Sequence, residues 1–225
     1  MKGQQNMINV KKFIKDNADY DYSEFNKKFI ISQYEIVGVR IPLLKKFAKE
    51  VEPEYIDLSD PHISHEEILL YAFAAGQTKT EDEQLEYLSN LMPYIDNWAT
   101  CDSSVSALKR LTDEKSYKFF CSLLQSDKEF YVRVGIVSMM RNFLKTEKLE
   151  DILLQIEKIE KKEYYINMAI SWLYAELCAF NFEIGKKQIE KTTDKFIRNK
   201  AISKACESFR VDKPNKMLLQ TLKIK

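Results

Sequence analysis

Glycine and proline are scarce in this 225-residue chain, at five each. So few breakers argue against a turn-rich β fold, and the abundant Lys, Glu, Leu and Ile favour helix. Histidine occurs only twice, at His62 and His65. They lie three apart but not in an H-E-x-x-H pattern, and a capping box of Ser64 with Glu67 is a more natural reading of the stretch than a metal site. The four cysteines, Cys101, Cys121, Cys178 and Cys206, lie far apart without a C-x-x-C pair. That excludes a disulfide framework and predicts reduced, buried thiols. There is no Gly-rich phosphate loop, and no Ser-His-Asp or Cys-His set can be assembled, which argues against P-loop NTPases, kinases and triad hydrolases. No apolar run of about 18 residues, secretory core or lipidation signal is present. The expectation is a cytoplasmic monomer without metal, cofactor or membrane partner.

What is present is ordinary for a soluble chain: 45% hydrophobic and 31% charged residues, with 12 Tyr and 13 Phe for bulky packing. The length suits one domain over residues 1–225. A net charge of +1 conceals an asymmetry. Residues 186–225 hold 12 basic and 4 acidic residues, so +8, against 23 and 30, so −7, in residues 1–185. A basic end on an acidic body can dock a polyanion, or be a solvated helix face.

Helical periodicity runs through nearly the whole chain. Met7, Ile8, Val10, Phe13 and Ile14 mark a first helix over Met7 to Asn17. Ser23 is the expected cap of a second, with Phe25, Phe29 and Ile30 on its apolar side. Tyr34 to Pro42 is β-branched and interrupted by Gly38; it reads as a short strand or an irregular connector. Pro42 fits the first turn of a helix reaching Val51. Further helices are predicted over His65 to Gly76 (Ser64 and Glu67 forming a capping box, Gly76 at C′) and Thr80 to Met92. The pattern continues over Ser103 to Leu111, Lys115 to Leu124, Glu129 to Leu144, Leu149 to Ile159, Glu163 to Phe180, Phe182 to Lys191, Asp194 to Ser208 and Pro214 to Lys223. Pairs recurring every 35 to 40 residues or so suggest an all-α fold, a curved α-solenoid of HEAT-like repeats, with a compact bundle as the alternative.

Three stretches carry candidate chemistry. In Asn97-Trp98-Ala-Thr-Cys-Asp102, an indole and a carboxylate four residues apart would share a helix face, suited to a cation or a developing positive charge. The plainer reading is a core tryptophan and an acid near a helix start. Arg133 interrupts an otherwise apolar helix; it is a snorkelling or paired arginine, or a clamp for phosphate or carboxylate beside a groove. Trp172 lies in an almost wholly apolar helix, where Ala169 and Ser171 leave room for something to approach the indole. In a solenoid, equivalent positions line one face, which would gather these signals into one cleft.

The stretches Ile36 to Glu50, Asn97 to Asp102, Tyr131 to Ile136 and Tyr164 to Trp172 together resemble the AlkD-like DNA alkylation repair family, helical-repeat proteins that include alkylpurine DNA glycosylases. The W-x-x-x-D spacing of Trp98 and Asp102 matches the family, Arg133 falls on its cleft arginine, and Trp172 on its second site tryptophan. The resemblance implies duplex DNA as partner, bound mainly through its backbone, and excision of cationic N3- or N7-alkylated purines. It implies catalytic roles for Asp102, Trp98 and Trp172 and a DNA-binding role for Arg133. The alternative from a different class is a non-catalytic repeat module that binds DNA, or a protein partner.

Overall fold

The computed structural model describes residues 9–160 and 163–225. Positions Met7 and Ile8 of the expected first helix lie outside the described residues. Thirteen α-helices are formed among those residues, with two short 3-10 turns and no strand. In chain order they are α1 (Val10–Asp16), α2 (Tyr20–Lys27), α3 (Ile41–Phe47), α4 (His65–Ala75), α5 (Glu81–Leu91), α6 (Trp98–Ala107) and α7 (Glu114–Leu123). They continue as α8 (Glu129–Asn142), α9 (Leu149–Glu157), α10 (Tyr164–Phe180), α11 (Phe182–Lys191), α12 (Lys195–Glu207) and α13 (Lys213–Thr221). The chain divides into two compact units, Met1–Asp113 and Glu114–Lys225.

Within the second unit the packing is that of stacked helical repeats. Helix α10 packs on α8 and on α12, so these three form one row; α7, α11 and α13 each pack on a member of that row. Helix α10 can serve this way because it is apolar nearly all round: Ile166, Ala169, Ile170, Leu173, Tyr174 and Leu177 are all buried. Its small residues Ala169 and Ser171 are fully buried. The Ser171 hydroxyl donates to the carbonyls of Asn167, at 2.7 Å, and of Ile197 in α12, at 3.2 Å. The room beside Trp172 expected from Ser171 is therefore occupied by the neighbouring helix.

In the first unit α4 is the central element, packing on α1, α3, α5 and α6. All eleven of its residues are buried. Ser64 and Glu67 form the expected capping box. Gly76 differs from expectation: it is a right-handed C-cap at φ −65° rather than a left-handed C′ residue. A side chain there would meet the Ala107 carbonyl at 2.7 Å, so close approach rather than dihedral freedom calls for glycine.

The stretch Tyr34 to Pro42 is the irregular connector, with a single bridge between Glu35 and Ser64. Gly38 adopts φ +96°, and a Cβ there would lie 2.2 Å from the Asp19 carbonyl oxygen. The buried Glu66 carboxylate accepts the backbone N–H groups of Val37 at 2.9 Å and Gly38 at 2.7 Å, which a strand ladder would otherwise have satisfied. Burial pushes the Glu66 pKa up, while those donors pull it down. Helix α2 begins four residues before the start expected from a cap at Ser23. Asp19, accepting from Tyr22 N at 2.9 Å, is its cap. Ser23 is instead buried and donates to the Ile36 carbonyl at 2.5 Å, tying α2 to the connector.

All four cysteines are free thiols; Cys101 and Cys178 are buried as expected, whereas Cys121 and Cys206 are only partly covered. Burial pushes Cys178 up to about 12, so it is an inert packing thiol at neutral pH. No helix among the described residues is long and apolar enough to cross a membrane.

Candidate functional site

Helix α6 starts at Trp98, five residues before the predicted start at Ser103, because Asn97 caps it. The fully buried Asn97 side chain accepts both Ala99 N, at 2.9 Å, and Thr100 N, at 3.0 Å. Its amide donates to Asp96 at 2.6 Å. Asp96 in turn accepts Gln33 N at 2.6 Å and the Ser32 hydroxyl at 2.8 Å. The buried face of α6 is Thr100, Cys101, Ser104 and Val105. That phase puts Trp98 and Asp102, one turn apart, together on the side away from the core. Trp98 is 38% exposed and Asp102 half-buried.

The indole does not float on this surface. Its N–H donates to the Phe29 carbonyl at 3.0 Å, just past the end of α2. Phe29 and Phe25, ring centroids 5.2 Å apart, are both exposed, as is Ile31. The apolar side that the sequence assigns to α2 thus splits: Ile30 is buried, while Phe25 and Phe29 face outward beside the indole's anchor. An aromatic surface with a carboxylate one turn along is chemically suited to a flat cationic group.

In the second unit Arg133 is 5% exposed on α8. Its Nη1 donates to the Tyr165 carbonyl at 2.9 Å, and its guanidinium carbon is 6.0 Å from the Tyr165 ring centre. Tyr165 N donates to Glu129 at 2.6 Å, so the start of α10 is fastened to α8 through both backbone groups of Tyr165. Trp172, half-buried on α10, lines a cavity of about 450 Å³ with Glu176, Phe180 and Arg210.

The histidines resolve into separate roles. His65 is the first residue of α4, 3% exposed, its Nδ1 without a hydrogen-bond partner among the described residues. Desolvation lowers its pKa to about 4, only partly countered by Asp96. His62 is exposed. Among the described residues no group of three or more His, Cys, Asp or Glu is placed to hold a metal ion.

Sequence reasoning missed Asp96 and Asn97 as the devices that set the start of α6. Two Asx residues directly before Trp98 were the available signal, since side-chain oxygens of this type cap helices. The tie from Trp98 to Phe29 had no such signal, because its partners are 69 positions apart.

No curated protein and no solved structure matches the chain significantly. A family model described as DNA alkylation repair enzyme matches residues 10–209, nearly the whole of both units. That span includes all four of Trp98, Asp102, Arg133 and Trp172, and the chain belongs to the DNA alkylation repair enzyme family.

Proposed function

We propose that the chain is a DNA glycosylase that removes cationic N3- or N7-alkylated purines from duplex DNA. The observation that carries this reading is the exposed Trp98 indole, fixed by its N–H to the Phe29 carbonyl one turn ahead of Asp102, in a chain of the alkylation repair family. A cationic purine is already a good leaving group. The N-glycosidic bond breaks with its electron pair going to the base, which leaves neutral; positive charge passes to the sugar; water then adds at the anomeric carbon and releases a proton. Asp102 is assigned to stabilising the sugar cation and holding that water. At about 4 Å and an effective dielectric of about 20, a carboxylate supplies roughly 4 kcal/mol of attraction. An indole face adds about 0.5–2 kcal/mol. Trp98 is assigned to the lesion and sugar beside Asp102; Trp172, half-buried in the second unit, is assigned to a DNA contact, and the buried Arg133 to holding the start of α10 through the Tyr165 carbonyl rather than to a phosphate.

The test is release of methylated purine from duplex DNA treated with a methylating agent. Asp102→Asn is expected to slow release by about 100-fold or more, the scale of removing one transition-state electrostatic contact. Release at the wild-type rate by Asp102→Asn would reject that residue's role. Salt-sensitive DNA binding by the wild-type chain without any release would support a non-catalytic module instead.

A further inference from the structure

A glutamine is costly inside a protein unless both ends of its amide are bonded. Helix α5 buries Gln84 on those terms. Its Nε2 donates to the Gly76 and Thr78 carbonyls, each at 3.4 Å, and its Oε1 accepts Arg110 N at 3.0 Å. Helix α11 buries Gln188, 8% exposed, without such partners. The Thr192 hydroxyl donates to its main-chain carbonyl at 2.9 Å, which leaves the side-chain amide with no hydrogen-bond partner among the described residues. Gln188 lines a cavity of about 290 Å³ bounded by α9, α10, α11 and the start of α12. The amide's free donors and acceptor are available to that space. The floor is apolar, with Ile156, Ile159, Ile170 and Ile197 all buried beside the ring of Tyr174. Burial pushes the Tyr174 pKa up, so its phenol is neutral. The charges at the mouth are already matched: Lys191 Nζ pairs with Glu157 at 2.6 Å, and Asp194 caps α12 by accepting Ile197 N at 3.0 Å. Ile170 and Tyr174 stand two residues from Trp172 and Glu176, about 200° round α10, so this cavity is on the other side of the helix from the tryptophan.

We infer that this cavity is a binding site for a small, uncharged, flat lactam. A side-chain amide presents an N–H and a C=O side by side, and a cyclic amide presents the same pair in reverse, so two hydrogen bonds form together. The isoleucine floor and the Tyr174 ring take the flat faces of the ligand. A cavity of about 150 Å³ holds one benzene ring, so about 290 Å³ has room for two fused rings. A charged ligand would lose its hydration without gaining an unpaired counter-charge. A free nucleobase and a non-nucleotide aromatic lactam share this chemistry. The site uses no residue of the glycosylase reading and is independent of it.

The experiment follows amide NMR spectra of the isotope-labelled full chain during titration with three probes. Quinolin-2-one is an apolar bicyclic lactam, hypoxanthine is a nucleobase lactam, and quinoline keeps both rings of the first but lacks the N–H and C=O pair. At least one lactam should bind saturably with a dissociation constant below about 1 mM, modest for a ligand of this size. It should shift the Gln188 side-chain resonances more than that of the Trp172 indole. Quinoline should bind about 10-fold or more weakly, because it leaves the buried amide unpaired. Gln188→Leu, close in volume and free of an unpaired amide, should melt no lower than the wild type, bind the lactam about 10-fold or more weakly and bind quinoline no worse. Gln188→Met, which keeps the unbranched shape, should do the same if leucine disturbs the packing. Tighter binding of hypoxanthine than of quinolin-2-one assigns the site to nucleobases, and the reverse to non-nucleotide lactams; either keeps the site. Equal affinity of the wild type for quinolin-2-one and quinoline overturns it without any variant. So does an undiminished lactam affinity in Gln188→Leu, or no saturable binding of either lactam in the millimolar range. Shifts centred on the Trp172 indole, or displacement of the lactam by duplex DNA, overturn it as well. Asp102→Asn should bind the lactam as the wild type does, so the site and the glycosylase reading fail separately.

Discussion

Trp98 stands at the first turn of a ten-residue helix whose start is set by polar side chains, whereas Trp172 stands in the middle of a 17-residue helix held by apolar packing. Around Trp98 the ties are few and directional: Asn97 to two backbone N–H groups, Asp96 to Ser32 and Gln33, and the indole N–H to Phe29. Around Trp172 they are many and diffuse, a row of buried aliphatic residues against α8 and α12. Dispersion and burial are spread over dozens of contacts, so no single one decides an orientation. A short polar chain of command fails at any link. The first unit should therefore respond sharply to single substitutions in its connector, and the second should absorb comparable ones.

The largest contrast is expected between two glycines. Gly38→Ala adds a Cβ 2.2 Å from the Asp19 carbonyl oxygen and 2.8 Å from Ser23 N, at φ +96°, where an L side chain is strained in any case. Overpacking and left-handed strain together should cost about 3–5 kcal/mol. Gly185→Ala, inside α11, also meets backbone, with Cys178 N at 2.4 Å. There the helical dihedral is open to alanine, whose better propensity returns about 0.5–1 kcal/mol, leaving a net cost of about 1–3 kcal/mol. For a chain of this size the two changes correspond to melting temperatures lowered by about 6–20 °C and about 2–12 °C. Parallel thermal melts check the ranking; equal losses would break the contrast.

Acid should weaken the first unit next. Both histidines of the chain are in it. His65 is buried, and its pKa is lowered to about 4 from 6.5. Between those values the unfolded chain binds a proton that the folded chain refuses, so stability falls as pH falls, by up to about 1.4 kcal/mol per pH unit and about 3 kcal/mol in all. Below about pH 4 this loss is complete. Urea midpoints from pH 7 to 4.5 should fall more steeply for the wild type than for His65→Gln. The neighbouring Glu66 titrates in both chains and drops out of the difference. Superimposed profiles would show that the ring is solvated in solution.

Much of this was legible in the sequence, and the reason is physical. Helices such as α7, α9 and α11 announce themselves by spacing because their burial repeats with the helical period. The capping box at Ser64 and Glu67 was legible because both partners lie within one turn. The pairing of Trp98 with Asp102 on one face needed only their separation of four residues and a helix to carry it. The rest depended on partners distant along the chain. Ser23 reads as a cap locally, but the Ile36 carbonyl takes its hydroxyl. Arg133 reads equally as a clamp or a paired arginine, and the Tyr165 carbonyl that receives it lies 32 positions on. Ser171 reads as a gap, and Ile197 of α12 fills it.

The subtlest test separates the two tryptophans directly. Asp96→Ala removes the acceptor for Gln33 N, the Ser32 hydroxyl and the Asn97 amide. Hydrogen bonds to a charged acceptor are worth more than neutral ones, but Asp96 is partly exposed and water replaces some of the loss, so about 1–2 kcal/mol of stability should go. The more telling effect is local. With Asp96 gone, the segment from Phe29 to Gln33 loses its fastening to the start of α6, and the Phe29 carbonyl no longer holds the indole N–H in place. In a Trp172→Phe background, Trp98 emission should shift to the red and its quenching by acrylamide should rise by about two-fold, because an indole already 38% exposed becomes fully so. In a Trp98→Phe background, Trp172 emission should stay where it is, since no hydrogen bond among the described residues links Asp96 to α10. Asp96→Asn, which keeps one acceptor oxygen, should fall between. If Trp98 emission is indifferent to Asp96, the indole is held by packing as Trp172 is, and the polar ties merely accompany its position without setting it.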